Sequence, residues 1–197
     1  KLLYGDKHSF GVPVNGTLKT TANISMEDLK SYYSKLSPEE AKFHIAGALD
    51  QKQVLDVVSN LASDWATKAP QISTSEINAA GEPGTLYFID VPDAKQSVIM
   101  IGKLALSEND VDASKLNFAN EILGGGSSGK LFQTLRIEKG YTYGAYSGIS
   151  ENETISPFYI STSVRANATL ASLKIIEEMV IDYAKDFGAA EVELTQN

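Results

Sequence analysis

The sequence predicts an α+β fold, in which helices pack on one face of an antiparallel or mixed β-sheet. Two observations lead to this prediction. Helical and strand-like patterns follow one another in the order αβα and then, after a polar stretch, ββααββα. The strand-like runs are joined by short turns, which favours antiparallel pairing over the long crossovers that parallel strands need. The 197 residues suffice for one domain or two small ones.

The composition argues against several classes of function. A net charge of −8, scattered along the chain, disfavours a nucleic-acid-binding protein, because phosphate binding needs clustered lysine and arginine. No apolar run reaches the ~18 residues that span a bilayer, so no membrane span is expected. The absence of cysteine leaves the redox compartment open. The chain has no cysteine and only two histidines, His8 and His44, so neither a thiol nucleophile nor a metal site within the chain is expected.

The first third of the chain predicts two helices with a strand between them. Residues 1–24 have the turn signals of loop or extended chain. Residues 25–28 match a capping box that opens the first helix, and Asp50 caps the second. The strand is predicted at 41–48. The apolar faces of the two helices are predicted to consist of Leu29, Tyr32, Tyr33 and Leu36, and of Val54, Val57, Val58, Leu61 and Trp65.

The rest of the chain predicts four strands and three helices. Residues 67–84 are polar, contain Pro, Gly and Ser, and lack periodicity, so we interpret them as a linker between domains. The strands are predicted at 85–91, 96–103, 141–149 and 157–165. Helices are predicted at 109–123 and 130–138. The buried positions of the first are predicted to be Val111, Leu116, Phe118, Ala119, Ile122 and Leu123. A final amphipathic helix carries Leu170, Leu173, Ile176, Met179, Val180 and Tyr183.

A glycine run at residues 124–130, GGGSSGK, fits the spacing of a phosphate-binding loop up to its last position, where Leu131 replaces the hydroxyl residue that holds magnesium. Its glycines also fit G-x-G-x-x-G. Both nucleotide motifs need a strand to enter the glycines and a helix to leave them. Here the segment that leads into the glycines, residues 109–123, has a helical pattern and not a strand pattern. We therefore interpret the run as a helix-ending hinge, with Gly124 as a left-handed C-cap, and not as a nucleotide site.

The residues around this hinge resemble a signature of the pitrilysin/insulinase family of zinc metallopeptidases. That family carries LGGG-x-S-x-L, then LRE and G-x-x-Y, with the arginine and the tyrosine seven residues apart. Here LGGGSSGKL precedes Arg136 and Tyr143, which keep that interval. GDKHSFGVPVNGT (5–17) is similar to the family's HP-[FY]-G-x-P-x-x-G-[ST], and IDVPDAKQSVIMIG (89–102) to its D-x-P-x-x-x-QS-x-[IV]-x-[IV]-G. The resemblance runs from residue 4 to about 194 and is closest to bacterial members.

This resemblance implies similar α/β domains that pair like a clamshell around a chamber. One domain of the family holds zinc through H-x-x-E-H and a distant glutamate, and the following domain is degenerate at those positions. Because this chain lacks H-x-x-E-H, it resembles the inactive, non-zinc-binding domain and is not expected to hydrolyse peptides alone. No cofactor is expected in this chain. Zinc is expected in a partner domain of the same polypeptide or in a partner subunit, and His8 and His44 are expected to be structural.

The resemblance also implies a domain division. Residues 1–66 correspond to the αβα tail of one family domain, 67–84 to the linker, and 85–197 to the ββααββα portion of the following domain. We hypothesise that residues 25–66 dock on 85–197 and complete one sheet through strand 41–48. Otherwise the apolar faces of the first third of the chain would lie bare.

A substrate role follows from the same resemblance. In the family, the arginine and the tyrosine of this signature reach toward the bound peptide. Arg136 is therefore expected to donate to a carbonyl or carboxylate of the substrate, and Tyr143 to its carbonyl oxygen. The glycines expected to let the substrate approach the backbone closely are Gly124, Gly125 and Gly126. No residue of the chain is expected to be catalytic.

One departure and one alternative accompany this interpretation. Ile137 stands where the family usually has an acid directly after the arginine. The alternative function is a purely structural or interaction domain of the same fold, like the respiratory-complex core subunits that have lost peptidase activity. If the segment comes from a doubly degenerate half of a longer protease, Arg136 and Tyr143 are relics.

Overall fold

A computed structural model of the chain describes residues 1–38, 41–64, 84–185 and 187–188. Contacts divide these residues into two compact units. The first unit contains residue 1 and residues 6–38 and 41–64, and the second contains residues 2–5, 84–185 and 187–188. The β-sheet and all five predicted substrate-binding residues belong to the second unit.

The first unit is helical where it is regular. A 3₁₀ turn at Ser9–Gly11 is followed by α1 (Leu18–Ala22), α2 (Met26–Tyr33) and α3 (Gln51–Asp64). Helix α1 corrects the expectation of loop throughout residues 1–24. It begins at a reciprocal cap between Thr17 and Thr20, a pattern that the sequence analysis overlooked.

The two predicted helix starts are confirmed. At α2, the Ser25 hydroxyl accepts a hydrogen bond from the Asp28 N–H at 3.1 Å, and the Asp28 carboxylate accepts one from the Ser25 N–H at 2.9 Å. At α3, Asp50 Oδ1 accepts a hydrogen bond from the Lys52 N–H at 2.8 Å. Both helices therefore begin where a side chain can satisfy their first free amides.

The predicted apolar faces of these helices are less buried than expected. All four positions predicted for the first helix are exposed, although Leu36 lies beyond the end of α2, and so is Val57 of α3, whereas Val54 and Val58 of α3 are half-buried. The Leu61 side chain and Trp65 lie outside the described residues. Periodicity identifies a stripe along a helix, but it does not supply the surface that covers the stripe.

Two predicted strands are absent. Residues 41–48 and 85–91 are described but form no strand, and their large apolar side chains, Phe43 and Ile45 in one and Leu86, Phe88 and Ile89 in the other, are exposed. A strand-like sequence becomes a strand only when its backbone groups find a partner. The predicted strand 41–48 is therefore wrong, and the docking of residues 25–66 on 85–197 stays a prediction. Of the predicted linker at 67–84, only Gly84 is described.

The second unit contains one antiparallel sheet. Its strands are β1 (Gln96–Leu104), β2 (Thr142–Ile149) and β3 (Pro157–Arg165), in the order β1–β3–β2. In the middle of the sheet, Thr162 pairs with Ile99 on one side and with Ala145 on the other. The predicted strands at 96–103, 141–149 and 157–165 are confirmed within one or two residues.

Helices pack on one face of this sheet. They are α4 (Ala113–Asn120), α5 (Lys130–Phe132) and α6 (Thr169–Asp182), and π-helical turns at Glu121–Gly125 and Gln133–Glu138 continue α4 and α5. The core between helices and sheet consists of Ile99, Leu123, Leu131, Leu135, Ala145, Ile160, Val164 and Ile176. Strand residues on the opposite face, such as Val98, Met100 and Tyr146, are exposed. The predicted α+β class is confirmed.

The ends of the predicted helices in this unit need correction. Helix α4 begins at Ala113, and Val111, expected to be buried, is exposed. Leu170 and Val180 of α6 are also exposed, whereas Ile176 is fully buried. No helix in the described parts of the chain is both long and apolar enough to cross a membrane.

The first residues of the chain contribute to the second unit through Tyr4. Its hydroxyl donates a hydrogen bond to the Ile155 carbonyl at 3.0 Å. Burial raises the pKa of this hydroxyl above its ordinary value. Leu3 lies nearby, against Gly102 of β1.

Candidate functional site

The glycine run begins where α4 ends. As predicted, a helix runs into it, which is the reverse of a nucleotide-binding loop. The expected left-handed cap is wrong: Gly124 has φ −171° and ψ 23°, and Gly126 is extended with φ −152° and ψ −171°. The helix thus ends by opening into an extended turn.

Gly124 is required for space and not for a left-handed conformation. A Cβ on this buried residue would lie 2.7 Å from both Leu131 Cδ1 and the Ser147 backbone nitrogen. A Cβ on the exposed Gly125 would meet only the Glu121 carboxylate, the mobile end of an exposed side chain. Gly124 therefore lets the bend pack directly on β2 and α5.

The loop then closes on itself before the next helix starts. The Gly129 N–H donates to the Gly126 carbonyl at 3.1 Å. The Gln133 side-chain amide donates to the Ser127 carbonyl at 2.7 Å. These bonds fix the path of the chain from the glycine turn into α5, the helix that leads to Arg136.

Arg136 lies on the π-helical turn that follows α5. Leu131 and Leu135, both fully buried, anchor this segment in the core and leave Arg136 half-buried at its margin. The segment ends at Gly140, whose φ of 62° is left-handed. The Tyr141 N–H then donates to the Leu135 carbonyl at 2.9 Å, so the chain turns sharply from helix to strand.

Tyr143 is presented by a bulge in β2. Thr142 pairs with Val164 and Ala145 pairs with Thr162, so one extra residue of β2 is accommodated between them. The buried Thr142 hydroxyl fixes the bulge: it donates to the Ser163 carbonyl at 2.7 Å and accepts from the Gly144 N–H at 3.0 Å. Tyr143 itself is 82% exposed. The role of Thr142 was not predicted, although its position between two tyrosines suits an inward-facing strand residue.

The structure brings Arg136 and Tyr143 together. The Arg136 Cζ lies 5.3 Å from the centroid of the Tyr143 ring, within the range of a cation–π interaction. Within the described parts of the chain, the guanidinium makes no ion pair and the Tyr143 hydroxyl makes no hydrogen bond. A stacked guanidinium keeps the N–H groups at its edge available for an oxygen acceptor.

A second arginine–tyrosine pair, which the sequence analysis missed, lies close by along the chain. The Arg165 Cζ, at the end of β3, is 5.8 Å from the centroid of the Tyr141 ring. The Arg165 N–H also donates to the Tyr141 carbonyl at 3.1 Å. No local sequence signal links these two residues, because only the pairing of β2 with β3 brings them together.

The two histidines lie apart from this arrangement. His8 is buried, and its Nδ1 accepts a hydrogen bond from the Phe10 N–H at 3.1 Å, which supports the expected structural role. His44 is exposed and lies in the segment 41–48, which forms no strand, so no packing of its side chain supports the expected structural role. In the described ranges, no three His, Cys, Asp or Glu side chains are placed to hold a metal ion. These residues therefore do not fit a zinc site.

Comparisons with known proteins extend this description. A family model described as the peptidase M16 inactive domain matches residues 23–197. An uncharacterised zinc protease of Mycobacterium leprae is 25% identical over 197 residues, which cover 97% of this chain and 43% of that protein. An uncharacterised zinc protease of Bacillus subtilis is 27% identical over 188 residues, which cover 94% of this chain and 44% of that protein. The chain thus spans less than half the length of these curated relatives.

A solved structure shows the same fold. The crystal structure of a peptidase M16 inactive domain from Pseudomonas fluorescens matches with a TM-score of 0.79 at 24% identity, covering 99% of this chain and 47% of that chain. The resemblance to zinc metallopeptidases predicted from the sequence is therefore confirmed. Since the family match spans most of the sequence, the chain belongs to the family of peptidase M16 inactive domains.

Proposed function

We propose that this chain is a non-catalytic, chamber-lining part of an M16-type zinc protease and that it helps bind the peptide substrate opposite a zinc site held elsewhere. The relatives named as zinc proteases are more than twice as long as the part that this chain covers. Because the described residues do not fit a zinc site, the metal is assigned to another domain of the same polypeptide or to a partner subunit.

The observation that carries the proposal is the stacking of Arg136 on Tyr143. The arginine is held by an aromatic ring and not by a carboxylate, so its charge is not neutralised within the described chain. An arginine that only stabilised its own helix would be expected to pair with an acid there. A guanidinium that is oriented and whose charge is not neutralised is suited to bind a ligand.

Each of the two side chains has a distinct role in this proposal. Arg136 donates forked N–H groups to a carbonyl or carboxylate of the peptide. The Tyr143 hydroxyl donates to a peptide carbonyl oxygen, on which negative charge develops when the bond is attacked. Gly125 and Gly126, at the open side of the glycine turn, allow the peptide to approach the backbone, while the buried Gly124 supports the turn from beneath.

Peptide titration tests this function. A fluorescein-labelled, unstructured peptide is titrated with the wild-type chain, Arg136→Ala and Tyr143→Phe, and binding is followed by fluorescence anisotropy. We expect Arg136→Ala to weaken binding about tenfold, the value of one hydrogen bond to a charged group. We expect Tyr143→Phe, which keeps the ring that holds Arg136, to weaken binding by about threefold.

Two controls sharpen the experiment. Arg136→Lys keeps the positive charge but loses the forked N–H groups of arginine. Its affinity for the peptide should therefore fall between those of the wild type and Arg136→Ala. Circular dichroism melts of all variants check that the fold is intact. Equal affinity of wild type and Arg136→Ala, or no binding by either, would count against a substrate role and favour a structural or interaction domain.

A further inference from the structure

The second arginine–tyrosine pair is held by a backbone hydrogen bond as well as by the ring contact. Arg165 ends β3, and its N–H donates to the Tyr141 carbonyl, so the backbone itself keeps the two residues side by side. The Tyr141 ring is half-buried and packs against the core, whereas Arg165 is exposed. The Arg165 guanidinium therefore lies against a fixed aromatic ring, and its N–H groups stay accessible to a ligand.

The two tyrosines of these pairs lie two residues apart at the start of β2. They are separated only by the buried Thr142. Two residues of chain span at most roughly 7 Å, about the distance between alternate side chains of an extended peptide. A peptide that contacts Arg136 and Tyr143 can therefore place a nearby side chain, or its own terminus, at Arg165.

Positive charge accumulates at this end of the sheet. The Lys95 carbonyl accepts from the Ala166 N–H at 3.1 Å, which puts Lys95 next to Arg165, and Lys139 ends the turn that carries Arg136. We call Lys95, Arg136, Lys139 and Arg165 the basic edge. None of the four forms an ion pair with another described residue, although the exposed Glu138 adjoins Lys139 in sequence. In a chain with a net charge of −8, such an unneutralised cluster favours an anionic group on the partner.

We propose that Arg165, supported by Tyr141, binds a carboxylate of the peptide substrate beside the position contacted by Arg136 and Tyr143. The planar fork of arginine matches both oxygens of a carboxylate. The carboxylate comes from an acidic side chain or from the peptide C-terminus. This inference rests on the proposed function and adds a preference for acidic peptides to it. Arg165 is a specificity-determining residue and takes no part in the chemistry.

Matched peptides test this preference. One set carries a single glutamate moved along a neutral sequence, with glutamine counterparts, and a second set carries either a free or an amidated C-terminus. We expect the wild-type chain to bind one carboxylate-bearing peptide about fivefold more tightly than its neutral counterpart, as for a partly exposed ion pair. Arg165→Gln should abolish this preference and leave the affinity for the neutral peptide unchanged. Lys174→Gln, the same change of charge on the exposed side of α6, should keep the preference.

The outcomes separate this inference from the proposed function. A preference that follows the glutamate identifies an acidic side chain as the ligand, and one that follows the free terminus identifies the C-terminal carboxylate. Either supports the inference if Arg165→Gln removes it. The inference is overturned if wild type shows no preference, if Arg165→Gln retains it, or if this variant weakens neutral and acidic peptides equally. A wild type that binds no peptide overturns both proposals. An unchanged affinity of Arg136→Ala, together with a preference lost in Arg165→Gln, overturns only the role of Arg136.

Discussion

At the scale of single residues, the aromatic ring of Tyr143 orients Arg136. In the family that the sequence resembles, an acid usually follows this arginine, whereas here the next residue is Ile137, which is exposed. Arg136 instead lies over the Tyr143 ring. A ring attracts a guanidinium without neutralising its charge, which leaves the full charge for a ligand.

The glycine turn provides a prediction at this scale. Gly124→Ala should destabilise the protein by about 2–3 kcal/mol, because a new methyl group would overlap Leu131 and the β2 backbone. Gly125→Ala should change stability by less than about 1 kcal/mol, because only the flexible Glu121 side chain must move. Urea denaturation of both variants measures the difference. Equal destabilisation would show that Gly124 is not packed as described.

The interval between Arg136 and Tyr143 could be read from the sequence, but their contact could not. The seven-residue spacing carries the resemblance, and both residues lie in a short segment whose helix and strand were predicted. The π-helical turn, the left-handed Gly140 and the bulge at Thr142 all determine how the two side chains meet. These features depend on packing and pairing with β3, which lies farther along the chain. The Arg165–Tyr141 pair depends on that pairing entirely.

At the scale of elements, the predicted helix starts at Ser25 and Asp50 are confirmed, whereas two of the five predicted strands are wrong. The capping box at Ser25 and the side-chain cap at Asp50 involve residues two or three positions apart, so a local pattern is sufficient. The sequences at 41–48 and 85–91 have strand character, yet neither finds a partner among the described residues. Strand formation depends on pairing with distant residues, which a local sequence pattern does not reveal.

The cap of α2 predicts a pH dependence. The pKa of Asp28 is lowered from 3.8, first by the hydrogen bond from the Ser25 N–H and then by that from the Ser25 hydroxyl. A lowered pKa stabilises the folded helix above the unfolded-state value, and this stabilisation is lost as the pH falls through the folded-state value. We expect amide hydrogen exchange in α2 to accelerate as the pH falls below about 4, beyond the intrinsic change in exchange rate.

Two variants test the assignment to this carboxylate. Asp28→Asn should remove the acid-induced change in α2, because the side chain no longer titrates. Glu27→Gln, in the same helical turn but outside the cap, should retain it. If the acid-induced change persists in Asp28→Asn, another group is responsible.

At the scale of the whole molecule, the proposed site is local to one unit. The glycine turn, both arginine–tyrosine pairs and the helices and strands that hold them all belong to the second unit. The family could be predicted from the sequence, because the hinge signature at 123–143 is one contiguous stretch and the motifs at 5–17 and 89–102 precede it in the family's order. The arrangement of the domains could not, since it depends on interactions between distant parts of a protein whose relatives are more than twice as long as this match.

The most direct test of the account is to map where a peptide binds. Backbone amide resonances of the ¹⁵N-labelled chain are followed by NMR while an unlabelled peptide is added. We predict that the largest chemical-shift changes fall together on Gly125, Gly126, Arg136 and Tyr143. Changes confined to another surface, such as the apolar groove lined by Phe118, Tyr183 and Phe187 between α4 and the residues that follow α6, would contradict it.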